Sequence, residues 1–260
     1  MRFLLKIQRK DGTQLPINYQ YPLSAAIYKI LAKGDKDYAA FLHEKGYGKG
    51  FKFFTFSDLK LKYERVEDRL VLKDDLVELT VAFHLPQASQ SFIEGLFKSE
   101  EIVIADKKSK VRFRVQSIIA MDNPLCTYEE RAIIQVTTRP MSAIVAGVKN
   151  EAGNYEYLMP DHKDFTNSLL SSWQNKIKEA YEEAADPNPI LNIVIVPYKN
   201  PFRTRLIHIK DGQENGTKIR GSLNYKLLLT AERRYIDLIM NAGLGLYSAQ
   251  GMGCVEVVEE

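Results

Sequence analysis

Cysteine is almost absent from this 260-residue chain: Cys126 and Cys254 are the only two. They make no disulfide framework, and a reducing interior is the expected setting. Histidine is scarce as well. His43, His84, His162 and His208 stand singly, and neither they nor the cysteines show metal-ligand spacing. No zinc or two-metal nuclease site is expected, and no cofactor of any kind. Long apolar runs are missing too. Met1-Arg2-Phe3-Leu4-Leu5-Lys6 opens with too short a run for a signal peptide, and no window approaches a membrane span. A cytoplasmic protein without a membrane partner is the expectation. Nor is there a strong excess of one charge: 36 Lys and Arg against 33 Asp and Glu leave +3. Any affinity for nucleic acid must therefore come from where the basic residues sit, not from how many there are. No stretch resembles a P-loop.

What is present describes a soluble globular chain, 45% hydrophobic and 27% charged, long enough for one large domain or two ordinary ones. Residues 3–8 alternate as a strand and close on Asp11-Gly12. Pro22 suits the first turn of a helix whose buried stripe is Leu23, Ile27, Ile30 and Leu31, with Tyr28 on its flank. A second helical piece runs from Asp35 to His43, capped by Asp35 or Asp37, and the glycines of 46–50 break it. Residues 51–57 read as a strand with Lys52 just inside its start. Strands over 69–72 and 76–83 follow. Pro86 then opens a helix expected to turn Phe92, Leu96 and Phe97 inward, and a hairpin over 101–105 and 110–119 closes the unit. The order β, α, β, β, α, β is that of a ferredoxin-like unit.

Met121-Asp122-Asn123-Pro124 marks the expected boundary, dividing the chain into 1–122 and 123–260. Strands restart over 131–136 and 143–148. A long helix from Asp161 or Asp164 to about 185 carries Leu169, Trp173, Ile177 and Tyr181 on one face, with Trp173 expected in the core. Strands over 190–196, 202–209 and 219–229, an amphipathic helix from Ala231 and a strand at 254–258 repeat the same order. The expected fold class is α+β, two tandem ferredoxin-like domains.

Two features bear on function. The first is the stretch 243–253, in which Gly243-Leu244-Gly245 and Gly251-Met252-Gly253 bracket five residues between a helix and a strand. Phosphate-binding loops of nucleotide folds run strand, loop, helix, so this order excludes a dinucleotide fingerprint. The glycines either form a plain turn after a helix end or expose N–H groups that cup anionic oxygens. The second is positive charge carried on strands. Lys110, Arg112 and Arg114 share one strand face, as do Arg203 with Arg205 and Lys218 with Arg220. A solvated face and a track for RNA phosphates are the two readings.

These residues resemble the repeat-associated RNA-processing (RAMP) superfamily of CRISPR systems, and within it the endoribonuclease that cuts precursor CRISPR RNA in its repeats. The resemblance rests on the paired Gly-hydrophobic-Gly triplets, on 1–5 followed by 21–28, and on 41–47 followed by 51–57. It runs through nearly the whole chain, weakest over 60–130 and 150–190. Met252 stands where the family often has an aromatic.

The resemblance implies cleavage without metal, the ribose 2′-OH attacking the adjacent phosphate. It implies Tyr28, His43 and Lys52 as the catalytic set, with Lys45 and Lys49 as substitutes for the lysine. It also implies RNA binding by Gly243, Gly245, Gly251 and Gly253 together with the seven strand-borne cations. Precursor repeat RNA is the implied partner, a CRISPR effector complex a further one, and monomer and homodimer both stay open. Read without the resemblance, His43 is a polar residue at a helix end, Tyr28 a core-flanking aromatic and Lys52 a surface lysine. A non-catalytic RNA-binding subunit of the same superfamily is the alternative function.

Overall fold

The computed structural model of the protein describes residues 1–197, 201–209 and 216–258. Its first unit contains β1 (Arg2–Asp11), β2 (Gln14–Pro16), α1 (Gln20–Gly34), α2 (Lys36–Glu44), β3 (Phe54–Phe56), β4 (Tyr63–Val66) and β5 (Arg69–Leu72). β6 (Leu76–Phe83), α3 (Pro86–Ser99), β7 (Glu101–Ala105) and β8 (Lys110–Ala120) complete it. The central sheet is ordered β3-β6-β1-β8-β7, antiparallel throughout. Without β7, this is the strand order of a ferredoxin-like unit, with α1 and α3 on one face. Phe3, Leu5 and Ile7 alternate onto that face and are buried. Asp35 caps α2 by accepting from the Tyr38 amide, and Pro86 sits in the first turn of α3.

Three expectations change. Phe97 is 79% exposed, because α3 packs through Ala88, Ser91, Phe92, Gly95 and Leu96, and the next residue falls about 100° off that stripe. Arg69–Leu72 leaves the central sheet and pairs with β2 and β4 in a separate three-stranded one. The strand expected over 51–57 is only Phe54–Phe56. Phe53 before it takes φ 49, and Phe51 bridges back to Tyr47.

The second unit runs β9 (Ile133–Pro140), β10 (Ala146–Lys149), β11 (Tyr155–Leu158), α4 (Phe165–Tyr181), β12 (Asn192–Pro197) and β13 (Arg203–Ile209). It ends with β14 (Thr217–Leu223), β15 (Tyr225–Glu232), α5 (Arg233–Ala242) and β16 (Val255–Val257). Its sheet is ordered β12-β15-β9-β16, again ferredoxin-like. Two hairpins are inserted into it, β10–β11 and β13–β14. The long strand expected over 219–229 is cut by Asn224 at φ 67 into β14 and β15. The long helix stops at Tyr181, ahead of a 3-10 turn, Glu182–Ala184. Trp173 is fully buried, its indole N–H donating to the Tyr235 carbonyl at 3.0 Å.

α5 is buried nearly all round, Arg234 included, because it lies between its own sheet and β3 and β6 of the first unit. Arg234 is paired with Glu232 and set over the Tyr181 and Tyr235 rings. Further bonds join the units. Thr55 Oγ1 donates to the Met252 carbonyl at 3.0 Å and Ser24 Oγ to the Ala249 carbonyl at 2.7 Å. The glycine-rich stretch is thus the seam between the two units.

Candidate functional site

Beside that seam lies a cleft of ≈ 920 Å³, walled by α1, the 49–54 segment and His43 on one side and by α4, β10–β11 and residues 245–250 on the other. Tyr28 reaches it from the flank of α1, His43 from the last turn of α2, and Lys52 from the residues after the glycine turn. The Tyr28 and His43 rings meet edge to face, centroids 5.0 Å apart, and Tyr28 also rests on Phe54. Lys52 Nζ donates to the His43 carbonyl at 3.1 Å, tying the lysine to the end of α2. Burial pushes the Tyr28 phenol above its ordinary pKa, so the hydroxyl stays protonated and can donate. Burial lowers the Lys52 ammonium, making it a readier proton donor. Lys49 also lines the cleft, its Nζ donating to Asn175 Oδ1 at 2.9 Å. Lys45 is exposed and is not part of the lining.

All four motif glycines are buried with positive φ, from 68° to 83°. Their use differs from a row of free amides. The Gly243 N–H donates to Ile239, that of Gly251 to Ser248 and that of Gly253 to Ala143, while Leu244 and Leu246 donate to Gly253 and Val145. The glycines allow close packing instead. A Cβ on Gly253 would stand 1.9 Å from the Leu244 carbonyl oxygen, and one on Gly245 2.4 Å from that of Val145. The part that faces the cleft is 245–250.

The carbonyls of Gly243 and Gly245 converge on a residue the sequence reading passed over. Lys176 of α4, 3% exposed, donates to both and to Ser248 Oγ at 3.0 Å. The available signal was its place on the Leu169, Trp173, Ile177 stripe, where a lysine is out of character.

A family model described as CRISPR associated protein Cas6, C-terminal, matches residues 126–257, over half of the 260-residue chain. This chain belongs to the Cas6 family. A Cas6 N-terminal model matches residues 14–118. CRISPR-associated endoribonuclease Cas6 1 of Methanocaldococcus jannaschii is 26% identical over 212 residues, 81% of this chain and 76% of the relative. CRISPR-associated endoribonuclease Cas6 of Pyrococcus furiosus is 25% identical over 213 residues, 79% and 74% of the two chains. A solved structure described as a Cas6-related gene from Pyrococcus furiosus is 22% identical with TM-score 0.78, covering 100% of this chain and 99% of that one. Another, described as an RAMP protein binding different RNA substrates, is 21% identical with TM-score 0.77 over all of both chains. These two structures speak for the fold, and the tandem ferredoxin-like architecture is that of the Cas6 family.

Within this Cas6 fold the seven strand-borne cations lie outside the cleft. Lys110, Arg112 and Arg114 do alternate outward along β8, but Arg112 is paired with Asp11 and Arg114 with Glu100 at 3.0 Å. Arg205 is held by both Asp58 oxygens at 2.8 Å and lies over the Tyr19 ring. Register puts Arg203 and Arg205 on one face of the β13–β14 hairpin, with Lys218 and Arg220 on the other. The cleft draws its positive charge from Lys49, Lys52, Lys149 and Lys176, with His43 beside them, and Asp164 is the one carboxylate among its described lining residues. Tyr155, with Lys149 over its ring, and Tyr247, held at φ 59, add aromatic surface, and Tyr247 hydrogen-bonds Tyr157 at 3.1 Å. Among the described residues, no helix is long and apolar enough to cross a membrane, and no three His, Cys, Asp or Glu are grouped to hold a metal.

Proposed function

We propose that this chain is a metal-independent endoribonuclease that cuts precursor CRISPR RNA within its repeats. Residues 1–122 supply the proton-transfer groups and 123–260 the glycine-rich loop. The observation that carries this reading is that Tyr28, His43 and Lys52, from three separate segments, line one cleft facing that loop, with four lysines against one carboxylate. A cleft of that sign takes an anion, and one with a histidine beside a tyrosine and a lysine can do more than bind it.

In the proposed reaction the ribose 2′-oxygen attacks the adjacent phosphorus, a P–O2′ bond forms and the P–O5′ bond breaks. The proton of the 2′-OH is removed and one is delivered to the departing 5′-oxygen. His43 is the member of the set suited to move a proton near neutral pH. Lys52 neutralises the charge that builds on the phosphorane and, in this reading, gives the leaving oxygen its proton. Tyr28, kept neutral by burial, donates a hydrogen bond to the nucleophile or a phosphate oxygen. The products are a 2′,3′-cyclic phosphate upstream and a 5′-hydroxyl downstream.

The test is cleavage of cognate repeat RNA in EDTA, with mass spectrometry of both fragments and a substrate carrying a single 2′-deoxy ribose at the cut. The natural RNA should be cut at one site, leaving a cyclic phosphate. The 2′-deoxy RNA should bind with near-normal affinity and stay whole. Cutting of the 2′-deoxy RNA at the normal position, or a strict need for added metal, would overturn this chemistry. Binding without any cut would make the chain an RNA-binding subunit.

A further inference from the structure

An ammonium buried to 3% exposure normally sits beside a carboxylate, because an ion stripped of water needs a countercharge to replace it. Lys176 has none among its hydrogen-bond partners. Its three N–H donors meet three neutral oxygens, the Gly243 and Gly245 carbonyls and the Ser248 hydroxyl. Its hydrogen bonds are therefore satisfied while its charge is not.

The surrounding elements do not make up the difference. From the first unit the cleft receives His43, Lys49 and Lys52, and the β10–β11 hairpin adds Lys149. On α4 itself Asp164 stands at the far N-terminal end, and the Glu179 carboxylate lies against Gly48. The facing tyrosines are Tyr28 and Tyr247, both held neutral by burial, and Tyr155. Burial alone pushes Lys176 down to about 7.

We propose that Lys176 is a positioning residue: its ammonium clamps the glycine-rich loop from beneath, and the phosphates of bound RNA supply the countercharge that the fold withholds from it. This rests on the reading of the cleft as an RNA site and goes beyond it by linking binding to protonation of one buried group. In the free protein the clamp loses its proton as the pH rises through neutrality, and the loop carbonyls lose their donor. RNA favours the charged form, so binding takes up a proton and affinity falls as pH rises above about 7, by at most about tenfold per pH unit for one proton. A lysine serving only as packing would titrate identically with and without RNA.

The experiment uses the full chain carrying His43→Ala, which is expected to slow turnover enough for RNA to stay whole during measurement. Lysine side chains are labelled with 13C at Cε, and Lys176→Met assigns the signal. In the free protein one lysine should titrate near neutral pH, and with repeat RNA bound it should stay protonated to pH 9 or above. Calorimetry at pH 7.5 in two buffers of different ionisation enthalpy should show proton uptake on binding. Lys176→Met should lower affinity roughly tenfold or more at pH 6.5 and flatten its pH dependence. If Lys176→Met does not fold, the calorimetry and the count of lysines titrating near neutrality still decide. RNA binding with no proton uptake and no shifted lysine would overturn the clamp alone. No RNA binding at any pH would overturn the reading of the cleft, and the clamp with it.

Discussion

His43 lies in the last turn of a nine-residue helix and is exposed, as an ordinary surface histidine would be. What distinguishes it is company: the Tyr28 ring at 5.0 Å and the Lys52 ammonium bonded to its own carbonyl. His43→Ala is expected to slow single-turnover cleavage by roughly 10²–10⁴-fold with little change in RNA affinity. Cleavage within a few-fold of wild type would remove His43 from the mechanism. Local patterning placed Tyr28 only on the flank of α1, and its candidacy came through the resemblance. Its surroundings now forbid a role as an ionised base, because burial raises the phenol further. Tyr28→Phe should therefore lower the rate without moving the alkaline limb of the pH profile. The choice among Lys45, Lys49 and Lys52 turns on the Gly46–Gly50 turn, whose path composition does not reveal. It sends Lys49 and Lys52 into the cleft and leaves Lys45 outside.

At the scale of elements, the glycine-rich loop changes meaning most. Its triplets were recognisable in the sequence, and its position between helix and strand was too. Its hydrogen bonding was not, because Ala143 and Val145 lie about a hundred residues upstream. A Cβ on Gly245 meets backbone at 2.4 Å with φ at 83°, so Gly245→Val should lower the melting temperature as well as RNA affinity. Unchanged melting with lost binding would instead mean that RNA packs on that glycine. Tyr247→Ala should spare the fold and weaken binding by about 1–3 kcal/mol if a base stacks there. The β8 cations illustrate a different limit. Alternation placed them correctly on one face, but it carries no information about Asp11 and Glu100 reaching over to neutralise them. Lys49→Ala and Lys149→Ala should each reduce the log–log salt slope of binding by about 0.7, as for one phosphate on a single strand. Arg112→Glu should leave it nearly unchanged. The opposite result would move the RNA path onto β8.

For the molecule as a whole, the interface between the units carries a pH dependence of its own. His84, packed against Phe53 and Tyr181, is pushed from 6.5 down to about 4, chiefly by burial and then by the nearby N-terminal ammonium. Because the folded value is the lower one, the unfolded chain binds more protons in that window, and stability falls as pH drops from about 6.5 to about 4. His84→Phe should flatten that part of the melting curve, measured by calorimetry at several pH values. An unchanged acid slope would put the sensitive group elsewhere. The sequence by itself determined the α+β class, the repeated order of elements and the glycine triplets, since period-two and period-3.6 patterning and turn residues are local properties. It also pointed to Tyr28, His43 and Lys52, through resemblance rather than through any local rule. Only the tertiary structure decided that β5 leaves the central sheet, that Arg112, Arg114 and Arg205 are spent on carboxylates, and that a buried Lys176 holds the loop. None of those pairings is a local property: β5, Arg112 and Arg114 find partners elsewhere in the first unit, Arg205 finds Asp58 across the two units, and Lys176 finds the loop carbonyls within the second.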